Sequence, residues 1–188
     1  ADSIADAVAA ADLVALNLPD SPDIEQVLTG DDGVFAHAAP GTVIVDFSTI
    51  ASDVAIRMAE LAEAAGLMFL DAPVSGGEEG AIAGKLSIMV GGSDDAFTRS
   101  LPMLEGVGST VVHVGPSGSG QTVKAANQLI VAANIQALAE AIVFLEAHDV
   151  HTAAAVKVLG GGLAGSTVLD HKAQRMLDLS LIHISEPT

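Results

Sequence analysis

Lys124 is the residue with most chemical promise. It stands in Gly118-Ser119-Gly120-Gln121-Thr122-Val123-Lys124, where a glycine pair opens a helical pattern and the lysine falls on its second turn. Val123, Ala125 and Ala126 surround it with apolar groups. Desolvation lowers a lysine's pKa, which would make Lys124 a usable proton donor near neutrality. A snorkelling surface lysine is the competing reading. Asn127 and Gln128 follow three and four residues later and so share the helix face of Lys124.

A second group is Asp71-Ala72-Pro73-Val74-Ser75-Gly76-Gly77. Two glycines after Ser75 let backbone N–H groups approach a ligand without Cβ interference, and a helix starting there would favour an anion such as a carboxylate. A plain strand-to-helix turn capped by Ser75 reads the same residues equally well. Phe47-Ser48-Thr49 offers a hydroxyl pair at a strand end, either capping the next helix or meeting a ligand at the sheet's carboxyl edge. Leu18-Pro19-Asp20-Ser21-Pro22 reads as a turn.

The elements that must carry these groups alternate. Short Val-, Ile- and Leu-rich runs at 13–18, 42–47, 68–72, 87–90 and 110–114 look like strands buried on both faces. Helical stretches such as 52–65 separate them, so βαβ units and a mostly parallel sheet are expected. From 121 to 148 there is no proline or glycine, a span of about seven helical turns. This long helix, with shorter ones at 152–159 and 166–178, predicts an all-α domain starting at 118. The fold class is therefore α/β, an incomplete Rossmann-type parallel sheet over 1–117 followed by part of an all-α domain.

Composition narrows the function. A net charge of −17 argues against nucleic acid, and five Phe with no Trp or Tyr argue against a base-stacking surface. No unbroken apolar run approaches the roughly 20 residues that span a bilayer, so no membrane partner is expected. The absence of cysteine excludes disulfides and thiolate metal sites, no metal is expected, and a cytoplasmic setting fits.

Together the motifs resemble the β-hydroxyacid dehydrogenase family, over nearly all of residues 1–178. Asp71–Gly77 resembles its substrate-binding signature, and Gly118 to Lys124 its catalytic signature. The resemblance implies NAD or NADP as cofactor, a small hydroxy or oxo carboxylic acid as substrate, and a homo-oligomer at full length. It implies Lys124 as general acid or base and Ser75, Gly76 and Gly77 at the substrate carboxylate. Asn127, with Gln128 as its substitute, would hold the substrate hydroxyl. Leu18 and Pro19 would contact the adenosine side of the cofactor, Ser48 and Thr49 the nicotinamide side. Gly161 to Asp170 and Ala126-Asn127-Gln128 resemble the branch that reduces short aldehyde acids. Other members, acting on other 3-hydroxyacids, and a non-catalytic module of the same fold are the alternatives; retention of Lys124 beside Ser75-Gly76-Gly77 weighs against the latter.

The family's glycine-rich dinucleotide fingerprint does not occur. Gly160-Gly161-Gly162 falls in the helical region with no strand before it. The chain is accordingly expected to enter a domain already under way, to be inactive alone, and to expose apolar surface. Residues 179–188 break the alanine- and glycine-rich character and read as a non-native tail in which His183 carries no role.

Overall fold

A computed structural model describes residues 1–178. The tail and His183 lie outside the described residues. The chain divides into two compact units, Ala1–Ala125 and from Ala126 onward. The sequence reading set a boundary at 117/118; the division falls later because the opening turns of the long helix are hydrogen-bonded into the sheet of the first unit.

The first unit is a six-stranded sheet. Strands β1 (Leu13–Leu16), β2 (Val43–Asp46) and β3 (Met68–Asp71) are parallel and in register, so that Leu16, Asp46 and Asp71 end side by side. Two-residue β4 (Val74–Ser75) and β5 (Leu86–Gly91) run antiparallel to one another, and β5 is antiparallel to β3 through Asp71 and Gly91. β6 (Gly108–Gly115) pairs parallel with β5.

β2 and β3 are apolar up to their closing aspartates because both faces are covered. Successive β2 side chains point to opposite faces. Ile44 joins a core with Ile24, Leu28, Met58 and Phe69, while Val43 and Val45 join another with Leu70, Ile88, Val90 and Leu104. The first core is closed by α1 (Ile4–Val8), α2 (Ser21–Thr29), α3 (Val34–His37) and α4 (Ser52–Ala64). The second is closed by α6 (Asp94–Val107), while α5 (Gly77–Ile82) follows β4 and buries no side chain. β1 departs from the expectation of full burial: Ala15 is exposed and its neighbours only half-buried.

Several turns differ from the sequence reading. Asp20 is not a mere turn residue; its carboxylate accepts from the N–H of Ser21 and starts α2, with Pro22 in the first turn, where a missing N–H costs nothing. Neither hydroxyl motif caps a helix. The cap positions are Ala51 for α4 and Gly76 for α5, neither of which offers a side-chain acceptor, and the Ser48 hydroxyl is committed to Leu18.

The second unit holds α7 (Ser119–Glu146) from Ala126 onward, α8 (Thr152–Gly160) and α9 (Thr167–Leu177). Ser166 caps α9 by accepting from Leu169, and the Gly160–Gly162 run serves to end α8. Its core is small: Leu138, Ile142, Leu169 and Ala173. Much of α7 is bare, with Leu129 73%, Ile130 61%, Val143 64% and Phe144 62% exposed, as the expected apolar surface requires. By length and composition α7 could cross a bilayer, its best window reaching a mean hydropathy of 1.7. A search for an unbroken apolar run misses this, because Lys124, Asn127, Gln128, Gln136 and Glu140 interrupt the pattern.

Candidate active site

The site lies at the carboxyl edge of the sheet in the first unit. Parallel strands β1, β2 and β3 end there together, and loops leaving such an edge are where α/β proteins bind ligands.

The α7 N-terminus enters this edge already occupied. Asp71, fully buried at the end of β3, accepts from the N–H of Gly118 at 2.7 Å and from that of Gln121 at 2.9 Å. Free N–H groups at a helix start attract an anion; here the protein supplies its own. The close fit explains the glycines. A Cβ on Gly120 would lie 2.4 Å from the Met89 carbonyl oxygen and 2.5 Å from that of Asp71. Burial raises the Asp71 carboxyl above its ordinary range, while the N–H donors of Gly118, Gln121 and Gly120 pull it back down.

Lys124 follows one turn after Gln121. Its Nζ donates to the Val74 carbonyl oxygen at 2.7 Å, which brings the glycine–lysine motif onto the strand that leads into Ser75, Gly76 and Gly77. The side chain is half-buried, and desolvation lowers its pKa from the ordinary lysine value. The ammonium is tied to a backbone carbonyl while the side chain stays half-buried. Gly76 (φ 138°) and Gly77 (φ 63°) both hold left-handed backbone. A Cβ on Gly76 would meet Leu86 Cδ2 at 3.1 Å, whereas one on Gly77 would point into open space. Ser75 is half-buried and its loop is otherwise open to solvent.

The two other predicted segments are joined to each other. The N–H of Leu18 donates to Ser48 Oγ at 2.8 Å, and the N–H of Ser48 donates to Asp46 Oδ1 at 2.9 Å. Pro19 and Thr49 are exposed beside them. They form a ledge, with the Ser48 hydroxyl buried beneath, on the carboxyl edge where α/β proteins take a dinucleotide. A grip for its pyrophosphate is not found among the described residues: the α7 start is filled by Asp71, and the first turn of α6 carries Asp94 and Asp95, which repel phosphate. Asn127 and Gln128 belong to the second unit, where the Asn127 amide donates to Gln128 Oε1 at 2.9 Å.

Sequence reasoning missed Gln121 and Asp46. Gln121 is 4% exposed; its Nε2 donates to the Ser48 carbonyl oxygen at 2.8 Å and its Oε1 accepts from Ile50 N–H at 3.2 Å. A glutamine flanked by glycine and threonine gives no sign of such partners. Asp46 is fully buried, with Oδ2 lacking any partner. Burial is the main cause that raises its pKa, the bonds from Ser48 lower it, and Asp71 nearby raises it further. A lone acid closing an apolar strand was its only signal.

Two family profiles cover this architecture. The NAD binding domain of 6-phosphogluconate dehydrogenase matches residues 1–115, and the NAD-binding domain of NADP-dependent 3-hydroxyisobutyrate dehydrogenase matches 118–181. The chain belongs to the NAD(P)-dependent 3-hydroxyacid dehydrogenase family. Among its relatives, 2-hydroxy-3-oxopropionate reductase of Escherichia coli is 42% identical over 168 residues, 89% of this chain and 58% of that protein. The 3-hydroxyisobutyrate dehydrogenase of Pseudomonas aeruginosa is 42% identical over 142 residues, 76% of this chain and 48% of that protein. The structure of Mycobacterium tuberculosis 3-hydroxyisobutyrate dehydrogenase with L-serine superposes with a TM-score of 0.84 at 35% identity, over 92% of this chain and 58% of that one. This dehydrogenase-family chain thus spans about three-fifths or less of the length of these relatives.

Proposed function

We propose that this chain supplies the proton-transfer and substrate-carboxylate parts of an NAD(P)-linked reductase that converts tartronate semialdehyde (2-hydroxy-3-oxopropionate) to glycerate. The observation that carries the reading is the 2.7 Å bond from Lys124 Nζ to the Val74 carbonyl oxygen, which sets a desolvated ammonium beside the Ser75-Gly76-Gly77 loop.

When bound, a reduced nicotinamide supplies hydride to the aldehyde carbon. Lys124 then gives its proton to the aldehyde oxygen, and in the oxidative direction takes it back. Its lowered pKa matches this task, because an ammonium that loses its proton more readily is a better donor near neutrality. The substrate carboxylate rests against Ser75 and the open backbone at Gly76 and Gly77. Ser48 and Thr49 face the nicotinamide end, and Leu18 and Pro19 the adenosine side. The resemblance assigns the substrate hydroxyl to Asn127, with Gln128 beside it; that assignment rests on sequence. The choice of tartronate semialdehyde over 3-hydroxyisobutyrate rests on the resemblance of Gly161 to Asp170 and of Ala126-Asn127-Gln128 to that branch; a relative acting on each is 42% identical.

The test is a chimera in which residues 1–178 replace the matching segment of the E. coli reductase. Turnover of tartronate semialdehyde should exceed that of 3-hydroxyisobutyrate or L-serine, and Lys124→Met should cut kcat by about 100- to 10,000-fold with cofactor Kd unchanged. Retained activity in Lys124→Met would sink the role of the lysine. Preference for either other acid would move the substrate assignment, and cofactor binding without turnover of any acid would favour a non-catalytic module.

A further inference from the structure

Six residues of the first unit form one hydrogen-bonded train. Leu18 N–H reaches Ser48 Oγ, Ser48 O accepts from Gln121 Nε2, and Ile50 N–H reaches Gln121 Oε1. The Gln121 backbone N–H in turn reaches Asp71, which also holds Gly118. Gln121 is bonded to both sides: its side chain holds the loop after β2, and its backbone belongs to the first turn of α7. A second tie runs from Ser52 Oγ, at the start of α4, to the Gly118 carbonyl oxygen at 2.9 Å. Lys124 lies three residues after Gln121, on the same helix face.

We infer that Gln121 is a positioning residue for Lys124, locking the lysine helix to the Ser48–Ile50 loop so that proton donor and nicotinamide ledge keep one spacing. The inference rests on the reading that Lys124 transfers the proton and that Ser48 and Thr49 line the nicotinamide end. Gln121 itself touches neither reacting group. An amide suits the place because it must donate to a carbonyl and accept from an N–H at once, which a carboxylate or a methionine cannot do. Buried as it is, the loss of either bond leaves a backbone group unpaired.

The experiment uses nuclear magnetic resonance on this chain, without substrate or cofactor. It follows hydrogen exchange at the Ile50 amide and the pH titration of the Lys124 side-chain carbon signal. In Gln121→Met, Ile50 exchange should accelerate about tenfold or more, and the Lys124 midpoint should climb toward that of an ordinary lysine as the helix start loosens and water reaches the ammonium. Gln121→Glu adds a readout that mere packing would not move. With the introduced carboxyl protonated, its O–H can donate to Ser48 O while its carbonyl accepts from Ile50; ionised, it can only accept. Both signals should then switch together at one acid midpoint that the native chain lacks. Asp46 from β2 and Asp71 from β3 are the other carboxyls facing this place, with Lys124 from α7, and their titrations appear in the native control.

If Ile50 loosens while Lys124 keeps its native titration in both variants, Gln121 only staples the loop and the inference falls. Should Gln121→Met not fold, the Gln121→Glu protein carried from acid to neutral pH makes the same comparison within one sample. Because neither readout needs turnover, failure here is separate from failure of the proposed reaction: an active Lys124→Met chimera would overturn the reaction and leave the coupling standing.

Discussion

Asp71 and Gly118 meet at 2.7 Å, a strand-end carboxylate on the amide that precedes the lysine helix. Through this contact the residue that opens the substrate-loop motif, Asp71-Ala72-Pro73-Val74-Ser75-Gly76-Gly77, serves the other motif, as the anion at the start of α7. The two signatures are halves of one structure, and the first prediction follows from how tightly they are joined.

Gly120→Ala places a methyl group about where the carbonyl oxygens of Met89 and Asp71 already sit, at 2.4 and 2.5 Å. Both obstacles are backbone, so they yield only if helix and strand part. A stability loss of about 1–3 kcal/mol is expected, read as a lower urea midpoint. An unchanged midpoint would show that the close approach is not required.

Asp46→Asn should alter the pH dependence of stability. The folded-state pKa of Asp46 lies above its unfolded value, chiefly through burial. A raised carboxyl contributes stability that is complete below about pH 4 and is lost as pH rises through the folded value, with a slope of at most about 1.4 kcal/mol per unit for one group. The amide keeps an acceptor for Ser48 N–H and carries no charge to bury beside Asp71. Urea unfolding between pH 4 and 8 should therefore fall less steeply in the variant than in the native chain. Parallel curves would mean that Asp46 does not titrate differently on folding.

Ser48→Ala removes the acceptor for the Leu18 N–H. Loss of one such bond costs about 1 kcal/mol, so the Leu18 amide should exchange several-fold faster while Ile50, held by Gln121, stays protected. Equal acceleration at both amides would show that the loop opens as a whole and that the two bonds are not independent.

Strong periodicity made much of the fold legible in advance. β2, β3, α4, α7, α8 and α9 appear within a few residues of their sequence-read limits, because continuous apolar runs and glycine punctuation coincide there. α2 was hidden in a Pro-Asp-Ser-Pro turn that is in fact a capped helix start. α6 was obscured by Pro102 inside it, and α5 by having nothing to bury. Lys124 is bonded to Val74, the residue before Ser75-Gly76-Gly77, a pairing of two motifs 50 residues apart that nothing local in the sequence encodes. Gln121 escaped because its partners lie 71 and 73 residues away, and no local pattern encodes a glutamine's distant carbonyl.

The cap on α7 also bears on the order in which the chain assembles. Most helices satisfy their first amides with a neighbour in sequence, as Ser166 does for Leu169; α7 borrows from a strand 47 and 50 residues upstream. Such closure is entropically costly and comes late in folding. The Gly118 and Gln121 amides therefore have their acceptor only where the end of β3 lies beside them, and the Val74 carbonyl that Lys124 bonds follows Asp71 by three residues. Substitutions deep in the sheet, far from any ligand, would disturb the seating of the lysine and present themselves as defects of chemistry.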